Sequence, residues 1–159
     1  MIGRLADLSD EMKRIARSSI VGQPAARLYS LVLDVDAYPK FLPWCLEAKV
    51  HERDAGRMVA TLVVGVKGLR QSFTTECVYR PHEAIDLRLV EGPFKHFSAA
   101  WRFLPLSDEA SKIEFALEYE FSTRLIGRLL EPLFDHIADT MVDAFIRRAE
   151  VTGEGQAAR

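Results

Sequence analysis

The sequence predicts an α+β protein, a curved antiparallel sheet of about seven strands wrapped around one long C-terminal helix. Three observations carry this. Seven stretches of the chain read as strands, a long apolar stripe at helical spacing closes it, and the last six strands follow one another with only turns between them.

Residues 13–21, "KRIARSSIV", read as a first strand closed by Gly22. "PAARLYSLVLDV" follows as a helix with Pro24 as its first residue and Leu28, Leu31 and Val32 on one face. Pro39 and Pro43 end any long continuation, so "DVDAYPKFLPWC" is too broken for one helix or one strand. "CLEAKVHER" and the halves of "RMVATLVVGVKGLRQSFTTECVYR" are rich in β-branched residues, the second split by a Lys67-Gly68 turn into a hairpin. In its second arm Leu69, Gln71, Phe73, Thr75, Cys77 and Tyr79 alternate with Arg70, Ser72, Thr74, Glu76, Val78 and Arg80, one face mostly apolar and the other mostly polar.

"EAIDLRLV", "KHFSAAWRFLPL" and "SKIEFALEYEF" repeat that alternation, with "EGPFK" expected as a loop between strands. Over 123–150, Ile126, Leu130, Leu133, Phe134, Ile137, Met141, Ala144 and Phe145 recur at helical spacing, opposite Glu131, Asp135, Asp139, Asp143 and Arg147. Pro132 is expected to kink that helix or restart it near Glu131. A twisted sheet curled around one helix either fills with side chains or leaves a lipophilic cavity, and periodicity admits both.

The 159 residues suit one domain, expected over 13–150, with an N-terminal extension over 1–12 and a flexible polar tail over 151–159. No apolar run is long enough to span a bilayer, and the first dozen residues do not read as a secretion signal, so a cytoplasmic location is expected. Cys45 and Cys77 fit buried free thiols better than a disulfide framework or a zinc spacing. A net charge of -2 argues against bulk attraction to nucleic acid, and no DNA partner is expected. The four histidines pair with no nucleophile or carboxylate at a telling spacing, the acidic run on the last helix reads as a solvated face, and "VVGVKG" has the wrong spacing for a phosphate loop. No catalytic residue, metal site or cofactor is expected.

The segments "DVDAYPKFLPWC", "EGPFKHFSAAWRF" and "LEYEFSTRLIGRLLEPLFDHIADTMVDAFIRRA", in that order, resemble the coenzyme Q-binding and ribosome association toxin (RatA) family of the START-like, polyketide cyclase-like superfamily. The resemblance implies a helix-grip fold with a hydrophobic tunnel between sheet and C-terminal helix, and ubiquinone or a similar lipid as bound ligand. It brings three functions: a non-catalytic quinone or lipid carrier supporting respiration, a toxin that binds a ribosomal subunit and blocks association, and a polyketide cyclase-like enzyme. For a carrier the expected partners are a prenylated quinone and the respiratory membrane surface, with the protein peripheral to the inner membrane. Two departures stand out: Ala99 replaces a glycine of the family, which puts any bulge there in doubt, and the members resembled begin near "MKRI", which makes Met12 a candidate start and residues 1–11 an extension.

The expected ligand-binding residues follow. Tyr38, Phe41 and Trp44 either rim the mouth of a tunnel or cap the core. Pro93 and Phe94 belong to the "EGPFK" loop, with Phe94 able to enter the cavity and Lys95 able to meet an anionic head group or a quinone oxygen. Phe73, Phe97, Trp101, Phe103, Phe115 and Tyr119 on the sheet, facing Phe134, Ile137 and Met141 on the helix, form the tunnel-lining set. The competing expectation is that part of this set packs on itself.

Overall fold

A computed structural model describes residues 12–157, with side chains through 152, so the expectation for residues 1–11 lies outside the described residues. The chain runs β1 (Lys13–Val21), α1 (Ala25–Leu33), a 3-10 turn (Val35–Ala37), α2 (Tyr38–Phe41), β2 (Cys45–Arg53), β3 (Arg57–Val66), β4 (Leu69–Arg80), β5 (Ala84–Glu91), β6 (Phe94–Pro105), β7 (Ser111–Phe121) and α3 (Arg124–Ala157). The seven strands form one curved antiparallel sheet in the order β1-β7-β6-β5-β4-β3-β2, and α3 lies in its concave face. The expected α+β architecture is the one observed.

Local chemistry explains most boundaries. Lys67 and Gly68 both take positive φ, 49° and 86°, the two-residue turn that matches strand twist and closes the β3-β4 hairpin with Val66 opposite Leu69. Thr123 caps α3, its Oγ1 accepting from the Ile126 amide at 3.1 Å. α1 buries Ala25, Leu28, Tyr29 and Val32 against α3 and the sheet. The buried stripe of α3 is Leu130, Leu133, Phe134, Ile137, Ala138, Val142, Phe145 and Ala149, whereas Met141 and Ala144 are half-buried.

Several expectations change. Pro24 sits at the N-cap in extended conformation, one residue before the helix, which begins at Ala25. α3 runs as one span through Pro132 without restarting. Proline removes the donor for the Arg128 carbonyl, and Pro132 is exposed, so that carbonyl faces solvent. The backbone of α3 also continues to Ala157, so residues 151–157 extend the helix where a separate tail was expected.

"EGPFK" is not a five-residue loop: Glu91 ends β5, Phe94 and Lys95 open β6, and only Gly92 and Pro93 turn. Gly92 is needed there because a Cβ would stand 2.8 Å from the Phe73 Cβ. The register between β6 and β7 slips between Phe94 and His96, which makes Lys95 the extra residue of a bulge. Ala99 stands in regular register between Leu87 and Leu117, so the bulge lies elsewhere. Glu76, on the face expected to be wet, is 7% exposed and bonded to Arg57 and Arg88. Those two guanidiniums, Arg57 first, hold its carboxyl below the usual carboxylate range.

Candidate functional site

The space between sheet and α3 divides into three zones. The first is a small enclosed cavity of about 40 Å³ walled by Val32, Val35 and Tyr38 near the α1-α2 connection, Met58, Ala60 and Leu62 of β3, Thr75 and Cys77 of β4, Ile85 and Leu87 of β5, and Trp101 of β6. It exists because Ala60 and Thr75 stand where neighbouring strands carry larger side chains. Phe103 and Phe115 back Trp101, with ring centroids 6.2 and 4.6 Å away.

The second zone is an open groove of about 490 Å³ between the "FLPW" turn and the middle of α3. Phe41, Pro43 and Trp44 form one wall, and His136, Thr140, Asp143, Ala144, Arg147 and Arg148 the other. The Arg148 guanidinium sits 5.0 Å from the Phe41 ring centre, a cation-π contact. Tyr38, which walls the cavity, and Phe41, which walls the groove, both pack edge-on against fully buried Phe145, at 5.3 and 5.4 Å. These three rings separate the groove from the cavity, and the Tyr38 hydroxyl donates to the Val32 carbonyl.

The third zone is filled. Phe94 packs against Phe73, Phe97, Tyr119, Phe121 and Phe134, all with centroids within 6.1 Å. The bulge puts it there. Strand parity would place Phe94 on the face opposite Phe97, Ala99, Trp101 and Phe103, and the extra residue at Lys95 turns it inward.

The expected site residues therefore separate. Tyr38 and Trp101 wall the cavity, Phe41 and Trp44 the groove, and Phe73, Phe94, Phe97, Tyr119 and Phe134 pack on one another. Ile137 is buried and Met141 half-buried on the facing stripe of α3. Pro93 accepts the Ser122 amide through its carbonyl at 2.9 Å, tying the β5-β6 turn to the start of α3. Lys95 points away from the interior and pairs with Glu120 at 3.3 Å. Met58, Ala60, Leu62, Cys77, Leu87, Phe145 and Arg148 also belong to these walls and are not among the residues expected from the sequence. The small residue in the Met58-Ala60-Leu62 alternation was the available signal.

Two buried hydrogen-bonding atoms have no partner among the described residues, Trp44 Nε1 beside the groove and Tyr119 Oη in the aromatic zone. Burial favours the protonated form of the interior thiols and phenols. Burial pushes the Cys45 and Cys77 thiols up to about 11 and raises Tyr38 well above its ordinary value. Burial also raises Tyr119, with Asp135 and Glu131 adding to it. Both cysteines are free and buried, as expected. Among the described residues no three His, Cys, Asp or Glu side chains form a metal-holding group, and no helix is long and apolar enough to cross a membrane.

The family described as polyketide cyclase / dehydrase and lipid transport matches residues 21–146, most of the chain. The chain belongs to this family. Within it, the chain is 40% identical over 144 residues to the ribosome association toxin RatA of Vibrio cholerae, covering 90% of this chain and 100% of that protein. The RatA of Pseudomonas aeruginosa is 41% identical over 136 residues, 86% and 94% of the two chains. A more distant member, the mitochondrial coenzyme Q-binding protein COQ10 of Drosophila melanogaster, is 28% identical and matches over 89% of this chain and 60% of its own length.

Among solved structures, the 18 kDa protein CC1736 of Caulobacter crescentus superposes with a TM-score of 0.70 at 31% identity, covering 89% of this chain and 99% of that one. The Zhui aromatase/cyclase of Streptomyces reaches 0.77 at 21% identity over 87% and 94%, a likeness of fold. The family match over most of the chain and the 40% identity to RatA agree in placing the chain among the polyketide cyclase / lipid transport proteins.

Proposed function

We infer that this protein is a non-catalytic lipid binder whose ligand is a prenylated quinone such as ubiquinone, the isoprenoid tail held between sheet and α3 and the quinone ring seated in the groove at Phe41 and Trp44. In this reading it supports respiratory electron transport by shielding and presenting the quinone. The observation that carries it is the Trp44 indole N–H, buried beside the groove without an acceptor. A buried donor left unpaired costs about 1–3 kcal/mol, and a quinone carbonyl is an acceptor on a flat ring suited to the Phe41 wall.

The tail would pass Tyr38, Phe41 and Phe145 into the cavity. A space of about 40 Å³ holds only a few atoms, so the tail must part those rings and the half-buried Leu62, Leu87 and Met141. Apolar ligand surface buried at about 25 cal/mol per Å² offsets that opening. Protonated interior thiols and phenols suit a container more than a reaction centre, which supports the absence of catalysis.

A second reading, a RatA-type toxin acting on the ribosome, draws on the 40% identity across the full length of the V. cholerae protein. Against it, the 21 basic residues are outnumbered by 23 acidic ones, and Arg14, Arg17, Arg57, Arg70, Arg88 and Arg102 are each paired with a carboxylate, which weakens what they offer RNA phosphates.

The deciding experiment is native mass spectrometry and organic extraction of protein purified from its own host, followed by quinone titration of Trp44→Phe. A co-purifying prenylated quinone is expected. Trp44→Phe should lower quinone affinity about tenfold and leave the melting temperature near wild type, because the deleted donor has no partner in the free protein. Unchanged affinity would return the indole to packing, and an empty protein that co-sediments with ribosomal subunits would favour the toxin.

A further inference from the structure

The first two turns of α3 carry two leucines that the fold leaves uncovered. Leu125 is 70% exposed and Leu129 54% exposed. Their four-residue spacing stacks them on one row of the helix, which runs on into fully buried Leu133 but is itself exposed over the first two turns. The core leaves most of both side chains in solvent. Each is preceded by an exposed arginine, Arg124 and Arg128.

Both arginines line an open groove of about 250 Å³ together with Lys13, Lys95, Phe121 and Gly127. The acidic residues of that groove are Glu120 and Glu131, and its lysines engage them, Lys95 at 3.3 Å and Lys13 at 2.9 Å. Four basic residues against two acidic ones give this end of the molecule the opposite sign to the whole chain, whose net charge is -2. Apolar side chains framed by arginines match an anionic bilayer. Leucine enters the acyl boundary while guanidinium donates to phosphate oxygens. A second copy of this chain meeting the same face would set arginine against arginine, and an RNA surface would have no use for the leucines.

We propose that Leu125 and Leu129 with Arg124 and Arg128 dock this protein on an anionic phospholipid bilayer, the start of α3 lying in the headgroup layer. The docked end is the aromatic end of the interior. Phe121, whose Cδ2 would stand only 3.3 Å from a Cβ placed at Gly127, stacks on Phe94 at 5.3 Å. The inference goes beyond the quinone reading and stands without it.

The test is flotation with vesicles of phosphatidylcholine alone or mixed with phosphatidylglycerol, neither containing quinone. Wild type should float only with the mixed vesicles and be released by salt. Leu125→Ser/Leu129→Ser should lower the partition about tenfold and Arg128→Gln a few-fold, with melting temperatures unchanged because all three side chains are exposed. Wild type that ignores anionic vesicles, or a leucine variant that floats as well as wild type, overturns the proposal. So does a dimer in solution that the leucine variant abolishes, or ribosome co-sedimentation that this variant loses while vesicles bind neither protein. Should the leucine variant fail to fold, Arg128→Gln decides alone, and undiminished flotation overturns the proposal. A failed quinone titration has no bearing on any of these outcomes.

Discussion

The two ends of the interior are both aromatic, yet only one holds space. Around Phe94 five rings fill the gap between β4, β6, β7 and α3, and each finds an edge or a face to pack on. Around Trp101 the walls are Met58, Ala60, Leu62, Thr75 and Cys77, and a gap of about 40 Å³ remains. Aromatic content does not make a pocket in this fold. Small and irregular side chains opposite a ring do, because they leave the ring without atoms to touch on one side.

Substitutions can break that contrast. The largest effect is expected from Phe94→Ala, which empties the packed end and should cost about 3–5 kcal/mol in urea unfolding, with affinity per folded molecule unchanged. Loss of quinone binding at preserved stability would instead make the packed end part of the ligand path.

Next comes Cys77 in the cavity wall. Its thiol is raised to about 11, so the unfolded chain loses this proton first as pH climbs above the usual thiol value of 9.0. Stability is full below that value and erodes toward pH 11, by on the order of 2 kcal/mol for this group. Stability curves for Cys77→Ala should lack that part of the alkaline slope, and an identical slope would mean the wall is already open to water.

Filling the gap is the third probe. Ala60→Val adds methyl groups toward the cavity and should reduce quinone affinity about tenfold at unchanged melting temperature. The smallest effect is expected from Tyr119→Phe, which deletes the partnerless hydroxyl of the packed end and should leave stability equal or up to about 1 kcal/mol higher. A measured loss above that would show that the hydroxyl has a partner.

Strand identity was legible because alternation is a local property. β4, β6 and β7 show it plainly, and the Lys67-Gly68 turn announces itself by residue type. What stayed hidden was non-local. The bulge at Lys95 is a property of pairing with β7, and it alone decides that Phe94 and Phe97, three residues apart, share a face. The burial of Glu76 depends on Arg57 from β3 and Arg88 from β5 folding over it. Pro132 breaks a helix in isolation, but α3 is held on both sides of it by Leu130, Leu133 and Phe134 in the core. The three-ring partition at Phe145 joins residues more than a hundred positions apart, and no spacing rule connects them.

The strand order also sets a timetable. β1 has no neighbour but β7, and Lys13 must find Tyr119. At a synthesis rate of about 5–20 residues per second, the first strand to emerge waits on the order of 5–20 seconds for the strand that pairs with it. During that interval β2 to β6 can zip in sequence, hairpin by hairpin, while "KRIARSSIV" remains a free segment with three of its nine residues basic. Charged side chains discourage an unpaired strand from joining the wrong edge. The arginines of β1 thus have a task before the fold exists, and only afterwards become the ion pairs with Glu118 and Asp139.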